Sequence, residues 1–131
     1  MKRKRTVSTS MFALLAASAF DPTQLHCLLT DKTLSSEISF STDNNVLVGE
    51  VDNYVESDHQ KKLISGDLLF NLKIKGTTIQ GKVGDPRGTS DNFTLEKRNK
   101  NIDGAWMFQS LDDSGRVSKA IFECTYDSKK R

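Results

Sequence analysis

Several residue types that dictate a special architecture are scarce. The chain of 131 residues has two prolines, two cysteines and one tryptophan. With only eight glycines as well, a collagen-like or proline-rich chain is excluded. No run of 18 apolar residues occurs, so a membrane-spanning helix is not expected. The GxSxG, HExxH, GxGxxG and P-loop patterns are all missing. No Cys-x-x-Cys pair exists, and His26 and His59 form no ligand spacing, so neither a metal nor another cofactor is expected. An excess of one charge is lacking too: 19 basic residues face 17 acidic ones. Four of the basic residues are Lys2, Arg3, Lys4 and Arg5, and removing them leaves 15 against 17. This balance disfavours a nucleic-acid-binding domain. The whole chain is 36% hydrophobic and 27% charged, and its length suits one globular domain.

The first 19 residues read as a secretory signal peptide. The basic run at residues 2–5 is followed by a polar spacer, then by Met11-Phe12-Ala13-Leu14-Leu15-Ala16-Ala17. Ala17-Ser18-Ala19 supplies the small-x-small pattern that the peptidase accepts next to its cut. A nuclear localisation run and a transit peptide compete for the same residues, but neither explains the apolar core and the cleavage pattern together. The expectation is a cut after Ala19, a domain over residues 20–131, and a periplasmic or secreted product.

Cys27 and Cys124 are the only cysteines. In an exported chain an even count implies a disulfide, and two cysteines allow one intramolecular pairing. Two buried free thiols are the alternative if the chain is not exported.

A pattern of apolar-x-apolar, turn residue, apolar-x-Gly-x-apolar occurs three times. Its copies begin at Ile38-x-Phe40, Phe70-x-Leu72 and Phe93-x-Leu95, and end at Gly49-x-Val51, Gly81-x-Val83 and Gly104-x-Trp106. Alternation puts one set of side chains on one face of a strand, and the Gly or Asn between supplies a tight reversal. Each copy is therefore a β-hairpin. Extending outward gives eight strands near 24–30, 36–41, 46–52, 67–75, 77–84, 92–98, 101–109 and 116–126. Both cysteines fall on the apolar faces of the terminal strands. A disulfide there requires those strands to be neighbours, which closes the sheet. The expected fold is all-β, an antiparallel up-and-down barrel of about eight strands, with a β-sandwich as the alternative.

Three connections stand out. Residues 53–65 are long enough for a helical turn and hold Tyr54, His59 and Lys61. Residues 84–91 form a turn-rich segment with Arg87 near its tip. A solvated cap and a plain surface turn are the simpler readings of these two. Residues 111–116 hold Asp112 and Asp113 without calcium-loop spacing, so a simple turn is expected. Asn92-Phe93-Thr94 has the form of a glycosylation sequon. Trp106 takes the place of Val83 in the repeat, which argues for core packing rather than ligand stacking.

Leu25-His26-Cys27 at the opening, glycine-marked hairpins and Phe122-Glu123-Cys124 at the close resemble the periplasmic inhibitors of C-type lysozyme. The resemblance is architectural and implies a small exported barrel that acts by binding a protein. Ser65-Gly66 lacks the tyrosine of that family's Ser-Gly-x-x-Tyr segment, and Lys75-Gly76 lacks its preceding aromatic, so no inhibitory residue carries over. Gly104-x-Trp106 is similar to the Gly-x-Trp of lipocalin-like and avidin-like barrels, although lipocalins place it in the first strand. The function expected first is non-enzymatic binding of another protein through loops, with Tyr54, His59, Lys61 and Arg87 as contacts. The alternatives are a small-molecule carrier using the barrel interior and an enzyme at the barrel mouth with His59 as base. Bulky Phe40, Phe70, Phe93, Trp106 and Phe122 on the inferred inner face point to a filled interior.

Overall fold

The computed structural model describes residues 20–127. The leader read from residues 1–19 lies outside them. Eight strands follow a short 3-10 turn, Pro22–Gln24. They are β1 (Leu25–Asp31), β2 (Leu34–Asp43), β3 (Val46–Ser57), β4 (Gln60–Lys75), β5 (Thr78–Gly84), β6 (Ser90–Lys97), β7 (Gly104–Leu111) and β8 (Val117–Tyr126). Each pairs antiparallel with the next, and β8 pairs back onto β1, so the sheet is a closed up-and-down barrel. Closure leaves no unpaired edge.

Cys27 and Cys124 stand directly opposite each other across the β1–β8 seam and are joined by a disulfide. The bond spans a sequence separation of 97. A crosslink over about 100 residues removes roughly 4.7 kcal/mol of unfolded-chain entropy in the simplest model. It is consistent with an oxidising compartment.

Short reversals set the register. Asn44 and Asn45 both have positive φ, as do Asp58 and His59, which is the backbone of two-residue hairpin turns. In two copies of the repeat the glycine is dictated by space. A Cβ on Gly49 would lie 2.8 Å from the Ser39 carbonyl oxygen and 2.9 Å from Phe40 Cδ1. A Cβ on Gly81 would lie 2.7 Å from both Leu72 Cδ2 and the Phe70 carbonyl oxygen. Each glycine thus makes room for a larger inward side chain on its neighbour.

Three local readings need correction. Residues 53–65 contain no helical turn and are not a loop. They are the ends of β3 and β4, closed by the Asp58-His59 turn, with Ile64 bulged out between the Asn53–Ser65 and Tyr54–Leu63 pairs. Phe70 does not face inward. Leu69 is fully buried instead, and a bulge with Asn71 at positive φ shifts the alternation so that Leu72 returns to the core. The third hairpin is not tight: six residues, 98–103, separate β6 from β7. Within it the Ile102 carbonyl accepts a 2.8 Å hydrogen bond from Trp106 Nε1. That bond satisfies the one polar atom of a buried ring.

Candidate functional site: the open end of the barrel

The two ends of the barrel are built differently. Odd strands run toward one end and even strands run back, so all eight inner faces can be read in the same direction. At the end holding the 3-10 turn, the interior is filled. Leu25, Ile79, Leu95 and Trp106 are buried there, above the Cys27–Cys124 bond. Phe20 stacks on Trp106 and on Tyr126, with ring centroids 5.9 Å apart in each case. The Tyr126 hydroxyl accepts a 3.0 Å hydrogen bond from the Asp21 amide, and the Asp127 amide donates to the Gln24 carbonyl. This end is a plug.

Toward the other end, the inner face of nearly every strand changes from bulky apolar to small or polar. Ile38 gives way to Ser36, Val51 to Asn53, Leu69 to Asp67, Phe93 to Asp91, Phe108 to Ser110 and Phe122, past Ala120, to Ser118. The result is a cup of about 390 Å³ to which all eight strands contribute. Its floor is Leu29, Val51, Val83, Phe108 and Phe122. Phe108 is held between Phe93 and Phe122, at centroid distances of 5.6 and 5.8 Å, in tilted and edge-on contacts. Its rim is Ser36, Asn53, Asp67, Thr89, Asp91, Ser110 and Ser118. A pocket of this volume lies at the small end of the range for specific small-molecule sites.

Rim electrostatics favour positive charge. No lysine, arginine or histidine lines the cup, whereas two aspartates do. Neither the Asp67 nor the Asp91 carboxylate has a hydrogen-bond or ion-pair partner among the described residues. The Asn53 amide is already engaged: its Oδ1 accepts from Ser36 Oγ at 2.6 Å, and its Nδ2 donates to Ser65 Oγ at 3.0 Å. This chain of three side chains braces β2, β3 and β4 beside the mouth.

The residues singled out from the sequence all lie at this end, but not in the cup. Tyr54 and Lys61 meet on the β3–β4 hairpin, with Lys61 Nζ 4.5 Å from the Tyr54 ring centroid. Lys61 also pairs with Glu37, and His26 Nε2 lies 3.4 Å from the same carboxylate. The Lys61 hydrogen bond, and then that of His26, holds the Glu37 carboxyl below its ordinary value of 4.5. His59 stands exposed at the turn tip, with no hydrogen-bonded acid or nucleophile among the described residues. Arg87 lies in the β5–β6 connection, where its amide donates to Asp85 Oδ1 at 2.9 Å. Thr89 of that same connection reaches the cup rim. Asp112 forms a turn, its Oδ1 accepting from the amides of Ser114 and Arg116 and from Ser114 Oγ. Asn92 is exposed and accepts a 2.8 Å hydrogen bond from Lys82, whereas Phe93 beside it is buried.

The rim residues were missed. The signal that could have found them is the change of inner-face residues toward one end, visible once the strands are aligned in alternating directions. Among the described residues, no group of three or more His, Cys, Asp or Glu side chains could hold a metal ion. No helix there is long and apolar enough to cross a membrane. No family model matches the chain, and neither a curated protein nor a solved structure matches it.

Proposed function

We propose that the protein is an exported, non-enzymatic binding protein that holds a small molecule in the open end of its barrel. The observation that carries this reading is the unequal filling of the interior. One end is packed with aromatic rings, and the other is a cup of about 390 Å³ with an apolar floor and a polar rim. An eight-stranded barrel can be filled or can hold one small ligand, and here the two solutions divide the barrel between them. Of the bulky residues noted in the sequence, Phe40, Phe93, Trp106 and Phe122 do face inward, and they fill only the plugged part and the cup floor. Export is supported by the leader pattern and by the disulfide. A cut after Ala19 would leave Phe20 first, at the plugged end, with the cup unobstructed.

Native mass spectrometry of protein purified from its own source tests this reading. The expected result is a reproducible bound species that is lost in a Ser110→Phe variant, whose ring would occupy the cup. Retention of that species by a folded Ser110→Phe protein, or its absence from the unaltered protein, would refute the reading.

A second reading, recognition of another protein, rests on the outer face of the β3–β4 hairpin. There the Tyr54–Lys61 pair lies beside exposed Leu63. Exposed aromatic and apolar side chains next to charge are typical of interface anchors. Loss of a co-purifying protein in Tyr54→Ala, with the cup-bound species unchanged, would establish this surface as a separate site.

A further inference from the structure

We infer that the ligand class of the cup is a compact organic cation, an amine on a small apolar or aromatic body. This rests on the cup being a small-molecule site. The floor offers only hydrocarbon and aromatic surface from Val51, Val83, Phe108 and Phe122. That surface takes an apolar body and provides no polar group to anchor it. Asp67 on β4 and Asp91 on β6 stand on the rim, two strands apart. Both carboxylates lack a partner among the described residues, and no cationic side chain lines the cavity to neutralise them. A carboxylate accepts hydrogen bonds and has no proton to give when ionised, so it selects for donors, and charged donors bind it most strongly. The same two groups repel a carboxylate or phosphate ligand, which would find no lysine or arginine in the cup to bind it. Asn53 is held in place by Ser36 and Ser65, and its neutral amide, both donor and acceptor, does not select a charge. The remaining rim groups, Ser110, Ser118 and Thr89, are hydroxyls that adapt to either donor or acceptor. They leave the choice of charge to the two aspartates.

A matched set of probes separates this inference from the reading beneath it. Tryptamine, N-acetyltryptamine and indole-3-propionate share a ring and carry positive, zero and negative charge. Each is titrated into the folded protein, and the methyl NMR signals of Val51 and Val83 and the amide signals of these two residues and Phe108 are followed. Tryptamine is expected to shift these signals and to bind at least about 10-fold more tightly than the other two, as charge-assisted hydrogen bonds imply. Asp67→Asn and Asp91→Asn are each expected to weaken tryptamine about 10-fold while leaving N-acetyltryptamine unaffected. Asp113→Asn, outside the cup, is expected to leave both unchanged. If the neutral or anionic probe shifts the same signals as strongly, the charge assignment is overturned and the cup remains a binding site. If none of the three shifts them, the cup itself fails as a site and the inference falls with it.

Discussion

The plugged end and the open end use the same eight strands and the same alternation, yet their inner faces solve opposite problems. At the plugged end, Trp106, Leu25, Ile79 and Leu95 exclude water and the disulfide ties the first strand to the last. At the open end, serine, asparagine and aspartate occupy the equivalent inward positions and leave space. The difference shows that closing a barrel does not require filling it. The stabilising interactions can be concentrated at one end, which leaves the other free to be shaped for binding. A binding rim also needs unpaired polar groups, and these are tolerable only where solvent or a ligand can reach them.

Breaking the plugged end is expected to have the largest effect. Replacing Cys27 and Cys124 together by alanine is expected to lower stability by about 4–5 kcal/mol, the chain-entropy value for a loop of this length. Urea unfolding with and without reductant measures it, and reductant should affect only the unaltered protein. Gly49→Val comes next. Its side chain would meet Phe40, Leu69 and the Ser39 carbonyl. Overpacking of this kind costs about 1–3 kcal/mol, read as a drop in melting temperature. At the open end, Ser110→Leu adds volume where there is room and is expected to change stability by less than about 1 kcal/mol. A cost as large as that of Gly49→Val would mean that the cup is as tightly packed as the plug.

The smallest effect concerns the wall between the ends. Lys61 and His26 hold the Glu37 carboxyl below its ordinary value of 4.5, so the folded state favours the ionised form. The contribution is therefore present above the ordinary value and is lost as pH falls through the lowered one. The pair is partly exposed, with side-chain accessibilities of 22% for Glu37 and 48% for Lys61. Solvent screening limits its worth to about 0.2–1 kcal/mol. Glu37→Gln should lower neutral-pH stability by this small amount, and the difference from the unaltered protein should vanish as pH falls below the lowered value, as measured by thermal melts across pH.

The plugged end was the more legible of the two in the sequence. Alternating apolar residues, turn-forming Asn and Gly, and paired cysteines in the terminal strands are each local signals that agree with the closed barrel. Residues 53–65 misled because Glu56-Ser57-Asp58-His59-Gln60-Lys61-Lys62 is polar throughout. The turn there places Asp58 and His59 at positive φ instead of the usual Asn-Gly. Phe70 misled because a one-residue bulge at Asn71 reverses the faces of a strand, and nothing in the alternation announces it. The cup was hidden for a different reason. A serine or aspartate at the end of a strand looks like a solvated terminus until five such positions are brought to one rim.

The difference between the two ends can be measured directly by methyl NMR under dissolved oxygen, a small paramagnetic probe that enters accessible apolar space. The methyl groups of Leu29, Val51 and Val83, on the cup floor, should relax strongly. Those of Leu25, Ile79 and Leu95, in the plug, should be nearly unaffected. Equal protection of both sets would mean that the barrel is filled throughout, and the account of an open binding end would be wrong.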